Sequence, residues 1–273
     1  MNAFKLKVIA LAAMVIDHIG GAFPQYAPFE FRVIGRLTFP IFVYLLAEGF
    51  RHTRSPKKFL LRLFAFALIA EPFYDWALTR TRSTSIDYSL WQVDFLNYTN
   101  IFYTLFLGGC AIVVFRWVER MLWQRFFDDG TEWAPLFCDM SLRPEAIVIT
   151  MVAALPTAGF MWVAGWLGAD YGGYGVLFIF LMYVIKSPKW LMLAVFGVMS
   201  IWQHNFLYSY FLDVYRGVIV LPFAVYLMIP VTLLTVPLVA FYNKQRGPRL
   251  KWLFYAAYPV HLAVLAGVAF YLL

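Results

Sequence analysis

Charge is scarce in this chain: Asp, Glu, Lys and Arg make up 14% of its 273 residues, against about 25% in an ordinary soluble domain. With 63% hydrophobic residues, no stretch of soluble-domain length remains between the apolar runs. Cysteine is nearly absent. Cys110 lies in an apolar run and Cys138 in a charged loop, which argues against a disulfide framework and against a thiolate metal site. Acidic residues are fewer than basic ones, 15 against 22, leaving a net charge of +7. That excess does not imply a nucleic-acid partner, because the cations gather in short loops between apolar runs, as the positive-inside bias of membrane proteins predicts. No P-loop, metal-ligand cluster, selectivity filter or convincing internal repeat occurs.

What is present is apolar and aromatic. Aromatic residues form 20% of the chain, with 10 Trp and 17 Tyr, many near the ends of apolar runs, where amphipathic rings favour the headgroup region. Runs of span length predict nine transmembrane helices, at about 4–24, 30–50, 58–78, 98–120, 144–166, 171–186, 189–206, 217–242 and 252–272. The sixth and seventh are short and split by "KSPK". The opening "MNAFKLKVIALAAMV" has the look of a signal peptide, but the run continues without a small-x-small cleavage site and reads as a retained first span.

Charge orients the bundle. With the N-terminus inside, the inner segments hold Lys5 and Lys7; Arg51, Arg54, Lys57, Lys58 and Arg62; Arg116, Arg120, Arg125 and Arg143; Lys186 and Lys189; and Lys244, Arg246, Arg249 and Lys251. Those are 17 of the 22 cations, leaving Arg32, Arg36, Arg80, Arg82 and Arg216 outside. The expected class is therefore an all-α, polytopic integral membrane protein of one domain, residues 1–273, with N inside and C outside. Two loops are long: Thr79 to Asn97, outer, and Trp123 to Ser141, inner, the latter a candidate interfacial segment.

The few polar groups inside spans share a level. At 1.5 Å rise per residue, Asp17 and His18 in "MVIDHIGG" lie about 9 Å below the outer end of the first span. Arg36 in the second lies at a similar depth and Glu71 in the third at about 10 Å. Asp75, Asn100 and Asp170 fall nearer the outer edge. An isolated charge at such depth costs about 2.5–3.5 kcal/mol even on a permissive insertion scale, so these groups must face one another or a water-filled cavity. By depth alone Asp17, Arg36 and Glu71 are natural partners. Either a structural ion network or a functional site satisfies that requirement, and His18, whose proton can move near neutral pH, favours the second. Neighbours on a helix diverge by about 100°, so Asp17 is not expected to orient the ring beside it.

His261 lies mid-span in "FYAAYPVHLAVL", just after Tyr258 and Pro259, where a proline can bend the helix toward a cavity. Alone it reads equally as a packing residue. His52 and His204 sit at predicted interfaces. Glu48 falls beside the densest cation run, which topology explains without a ligand, although such a run also suits a phosphate-bearing cofactor. "ADYGGYGVL" supplies backbone freedom and helix N-terminal amides, suited to an anion or to close packing.

Five segments in order, "LKVIALAAMVIDHIG", "RVIGRLTFPIFVYLLAEGFRHTRSPKKFLLRLFAFALIAEPF", "NIFYTLFLG", "DYGGYGVL" and "FYNKQRGPRLKWLFYAAYPVHL", resemble the TraX family, membrane proteins named after an enzyme that N-terminally acetylates conjugative pilin. The combined Asp-His, Gly-Arg-x-x-Phe-Pro and Tyr-Pro-x-His pattern is specific. The segments from Trp123 to Ser141 and from Ser187 to Leu212 carry no such likeness. The family is similar to a wider group of membrane acyltransferases that use a histidine on an early span. The resemblance implies an acetyltransferase of the inner membrane that moves acetyl from cytosolic acetyl-CoA, as cosubstrate, to an amine or hydroxyl on an envelope protein or glycan. It implies catalytic roles for His18, Asp17, Arg36 and His261, with coenzyme A near Arg51, Arg54, Lys57, Lys58, Arg62 and Arg246. Glu48, Glu71, Asn100, Thr104, Asp170 and Tyr258 are the candidate lining, and Arg36, Asn100 or Tyr258 the candidate donors to the thioester oxygen. An inner cavity narrowing toward His18 is then expected. Two other classes stay open on the residues alone: a proton-coupled transporter using the buried Asp, His and Glu, and a non-catalytic assembly factor.

Overall fold

A computed structural model of the chain describes residues 1–79, 95, 99–126, 144–202, 223–248 and 250–272. The described residues are helical, with no strand among them, and they form nine helical segments in the order the hydropathy predicts. The first is α1 (Ala3–Ala22). Then come α2 (Glu30–Gly35) and α3 (Thr38–His52), which make one broken span, and α4 (Pro56–Tyr74), which runs into a π turn at Asp75–Thr79. They are followed by α5 (Ile101–Phe126), the pair α6 (Pro144–Ala154) and α7 (Pro156–Trp166), α8 (Gly172–Val184) and α9 (Lys189–Trp202). The pair α10 (Phe223–Leu233) and α11 (Thr235–Ala240) and then α12 (Lys251–Leu272) complete the series.

Local chemistry sets these boundaries. Asn2 caps α1 by accepting the Lys5 amide at 3.0 Å, which satisfies an otherwise orphaned donor. Pro56 and Pro156 open α4 and α7, where a missing N–H costs nothing. Pro72 inside α4 removes one ladder bond, and the helix loosens one turn later into the π turn.

Four stretches, Glu30–His52, Ile101–Phe126, Ala146–Trp166 and Trp252–Tyr271, are long and apolar enough to cross a membrane. Their outward faces carry bare large side chains such as Trp162, Trp166, Val148 and Val264, as surfaces against lipid do. This is a multi-pass membrane protein. The sixth and seventh spans are 13 and 14 residues long within the described residues, and α5 extends past its expected end to Phe126. Most of the two long loops, together with Cys138, His204, Arg80, Arg82, Arg143, Arg216 and Arg249, lies outside the described residues.

α8 is the hub, packed against α3, α5 and α7, and Phe39, Phe50, Phe178 and Phe196 are fully buried around it. Glycines let it approach: a Cβ on Gly173 would stand 2.7 Å from the Met161 carbonyl oxygen, and one on Gly175 would stand 2.4 Å from Thr104 Cγ2. α1 packs against α2, α3 and α12, and α4 against α5 and α12. The N-terminus is stitched to the α11–α12 connection, with the Ala3 amide on the Gln245 carbonyl at 2.8 Å and the Asn243 amide on the Met1 carbonyl at 2.9 Å. That junction defines a Met1 end of the bundle. The α1–α2 turn and the start of α5 lie at the opposite end.

Candidate functional site

The glycines of "DHIGG" and "IGR" make room for an ion pair. A Cβ on Gly20 would stand 3.2 Å from Arg32 Cδ and one on Gly21 would stand 3.0 Å from Arg32 Nη1, so the Arg32 side chain lies along this glycine face of α1. Gly35 does the same for Asp17, whose Cβ, Cγ and Oδ1 would all be 2.3 Å from an added Cβ. Asp17 Oδ1 meets Arg32 Nη1 at 2.9 Å and Arg36 Nη2 at 3.7 Å. Arg32 Nη1 also donates to the Asp17 carbonyl at 3.0 Å, and Arg36 Nε donates to the Arg32 carbonyl at 3.0 Å. Arg36 was expected as the partner of Asp17. It is the second partner, and Arg32, counted in the sequence as a topological cation, is the nearer one. The signal for Arg32 was the glycine pair, which is wasted on a bare helix face.

His18 turns the other way, as its 100° offset from Asp17 requires. Its Nδ1 lies 2.7 Å from His261 Nε2, and His261 Nδ1 lies 2.6 Å from the carbonyl of Ala257, one turn back on α12. The rings stack with centroids 4.9 Å apart at 23°. Tyr258 stands edge-on to both, 5.8 Å from His18 and 5.5 Å from His261. Its buried hydroxyl makes no hydrogen bond of good geometry among the described residues, only a marginal approach to the Ile101 amide. No third His, Cys, Asp or Glu among the described residues joins the histidine pair in a metal-binding group.

A cavity of about 210 Å³ runs along α1 from this cluster. His18, Asp17, Gly35, Asp170, Tyr171 and Tyr258 line one part, Lys7, Gly49, Phe59 and Phe254 line another, and Phe39, Phe42, Leu45, Leu46, Leu63, Phe102 and Leu105 supply apolar wall. Lys7 and His18 are eleven residues apart on one helix, so the lane is about 16 Å long at helical rise. Lys7, Met14 and His18 recur at steps of seven and four, one stripe of a helix. That spacing was visible in the sequence, but Lys7 was read there only as a topological charge. Tyr171 and Gly172 both take positive φ, 65° and 47°, and this left-handed turn stacks Tyr171 on Phe39 at 3.7 Å between centroids. A non-glycine residue held there is strained and needs such support.

Of the remaining expected site residues, Asp170 and Tyr258 line the cavity and the others do not. Glu71 was grouped with Asp17 and Arg36 by depth, but it faces α5. Glu71 Oε2 accepts the Asn100 amide at 3.1 Å and the Asn100 Nδ2, which also donates to the Ala67 carbonyl at 2.8 Å. Asn100 Oδ1 in turn caps α5 by accepting the Phe102 amide at 2.9 Å. Both side chains are fully buried. Depth fixes level and leaves azimuth open, which is why this grouping failed. Thr104 donates to the Asp170 carbonyl, fixing the turn before α8.

Glu48 pairs with Arg51 and His52. Arg51 also donates to the carbonyls of Met182 and Tyr183, so it closes the C-terminal turn of α8. Arg54, Lys57, Lys58 and Arg246 are exposed and do not line the cavity. Arg62 stacks over Phe59 at 5.5 Å and Tyr255 at 5.9 Å, two rings that do line it.

Every lining residue falls within the five segments that carry the family likeness. The profile of the TraX protein family matches residues 3–269. The chain belongs to the TraX family. It is also similar to the probable fimbrial assembly protein FimC, serogroup H1, of Dichelobacter nodosus, with 28% identity over 280 residues, covering 99% of this chain and 97% of that protein. The TraX match thus extends well beyond the five segments, through Trp123 to Ser141 and Ser187 to Leu212 as well. No solved structure matches the chain significantly.

Proposed function

We propose that this TraX-family protein is an acetyltransferase of the inner membrane, with the Met1 end of the bundle in the cytoplasm. The exposed cations Lys5, Arg54, Lys57, Lys58, Lys244 and Arg246 support that orientation. The observation that carries the reading is the lane itself, which joins a cation, Lys7, to an imidazole, His18, through an apolar wall. It suits the pantetheine arm of acetyl-CoA, with the phosphates near Lys7 and Arg62 and the thioester beside His18. His18 takes a proton from the acceptor as its nitrogen or oxygen bonds to the acyl carbon. Tyr258 donates its hydroxyl to the thioester oxygen as charge develops there. The carbon–sulfur bond then breaks, and the proton held by His18 passes to the departing thiolate. For an α-amine, whose own pKa is about 7.7–8.0, proton removal is a mild task. The name of the fimbrial relative supports an envelope protein of pilin type as acceptor.

The carboxylates favour this reading over a proton-coupled carrier, since Asp17 is paired with two arginines and Glu71 is held by Asn100. The test is mass spectrometry of envelope proteins and glycans from cells with and without the chain, repeated with His18→Ala and His18→Gln. We expect acetyl groups to be lost without the chain and with either variant, while expression and membrane insertion persist. Activity close to wild type in both variants overturns the assignment. Binding of acetyl-CoA to the purified protein separates it from a transporter, and an assembly factor would lose stability on substitution with no separate loss of transfer.

A further inference from the structure

His261 is unused by a mechanism in which His18 is the base. It does not line the cavity, yet it is hydrogen-bonded to the residue that does. Proton accounting gives it a task. A carbonyl oxygen only accepts, so the 2.6 Å contact with Ala257 requires the hydrogen of His261 to sit on Nδ1. A neutral imidazole has one donor nitrogen and one acceptor nitrogen, so His261 Nε2 is a lone pair. The 2.7 Å contact between that lone pair and His18 Nδ1 then requires the hydrogen to come from His18. In the neutral pair no other arrangement satisfies both contacts. His18 is thereby held as the Nδ1–H tautomer, and its remaining nitrogen, Nε2, is an unprotonated base on a residue that lines the cavity.

We propose that His261 is a positioning residue that transmits the fixed polarity of the Ala257 carbonyl to His18, sets its tautomer, and so makes Nε2 the atom that accepts the acceptor's proton. The inference rests on the reading of His18 as the base. Once Nε2 has taken the proton, the Nδ1–H bond to His261 becomes charge-assisted and strengthens, so the same contact that selects the tautomer also stabilises the imidazolium. Without His261, His18 divides between two tautomers and two ring orientations, only one of which presents a lone pair to the lane.

The test compares His261→Leu with His261→Gln. The glutamine carbonyl can accept from His18 Nδ1–H while its amide donates to Ala257, but it cannot titrate. Initial rates are read with purified protein, radiolabelled acetyl-CoA and envelope extract from cells lacking the chain. We expect His261→Leu to slow transfer by up to about 10⁴-fold, the scale of losing the partner that sets a catalytic histidine's tautomer, and His261→Gln to recover most of that loss. Equal inactivity of the two variants overturns the proposal, since His261 would then act as an acid or base itself. Full activity of His261→Leu overturns it too. Nitrogen NMR of histidine-labelled wild-type protein gives a readout independent of transfer and of the folding of any variant. An unprotonated Nε2 on His18 supports the proposal, and a protonated one overturns it. Inactive His18→Ala beside active His261→Leu would remove this inference alone, whereas active His18→Ala would remove the base reading beneath it.

Discussion

Two polar clusters lie at nearly one level of this bundle and are built for opposite ends. Glu71 and Asn100 are fully buried, bond to each other and to backbone, and seal the start of α5. His18 and His261 also bond to each other and to backbone, but one of them opens onto a cavity. Both satisfy the rule that polar groups deep in a membrane must be partnered. The difference is that the bonds of the first cluster hold the start of α5 and neither of its residues lines the cavity, whereas in the second His18 does. A buried polar group is therefore marked as a candidate by the cavity it opens onto, and depth alone does not reveal that.

The strongest way to break this comparison is to disable the sealed cluster. Glu71→Leu strips the acceptor from two Asn100 donors, at about 1–3 kcal/mol for each orphaned group. We expect a large fall in the melting temperature of the detergent-solubilised protein and little folded material, with the folded fraction transferring at a normal rate per molecule. Glu71→Gln keeps an acceptor and should be mild. If Glu71→Gln instead abolished transfer at unchanged stability, Glu71 would belong with His18.

A smaller effect, and one that tests the site from its packing side, comes from Gly35→Ala. The new Cβ would sit 2.3 Å from Asp17, and overpacking of this kind costs about 1–3 kcal/mol. Because the displaced side chain shares a helix turn with His18, transfer should fall as well. Gly165→Ala and Gly267→Ala are the controls, with nothing within 4 Å of the added atom. Each lies within a helix, where alanine is favoured over glycine by about 0.5–1 kcal/mol, so both should be neutral or slightly stabilising in thermal unfolding and leave transfer unchanged. Equal losses at all three positions would mean that the effect of Gly35→Ala does not come from its contact with Asp17.

Much of this was legible in the sequence, for identifiable reasons. Hydropathy fixes which segments span, because burying a charge in lipid is costly, and the nine helical segments follow the apolar runs. The 100° step between Asp17 and His18 separates their partners, and the structure sends one side chain to α2 and the other to α12. Partner identity is a different matter. Which helix lies beside which depends on side-chain packing, so Glu71 was grouped with Asp17 although its helix turns it toward Asn100. Arg51 looked like a ligand for phosphate, yet its guanidinium is occupied by Glu48 and two α8 carbonyls. Lys7 sat in plain view on the His18 stripe, but a cation near a span end has a topological explanation that hides any other.

The finest test of the comparison concerns the two arginines on Asp17. The family motif carries Arg36, whereas geometry favours Arg32, which reaches the carboxylate at 2.9 Å and the backbone carbonyl of the same residue at 3.0 Å. Arg36 is 3.7 Å from the carboxylate, and its Nε donates to the Arg32 backbone carbonyl, so it is the more distant direct partner of Asp17. All three side chains keep some exposure, 29%, 19% and 18% for Arg32, Arg36 and Asp17, and solvent screening limits each pair to about 1 kcal/mol or less, roughly a fivefold change in an equilibrium. A lysine cannot reproduce a guanidinium fork, so Arg32→Lys should show that loss in full and Arg36→Lys a fraction of it. Double-mutant cycles with Asp17→Asn, read in thermal unfolding and in transfer rate, isolate the two couplings. A larger transfer coupling for Arg36 than for Arg32, at equal stability coupling, would mean that the motif arginine reaches the reacting atoms once a donor is bound, and the oxyanion role given to Tyr258 would then be shared with it.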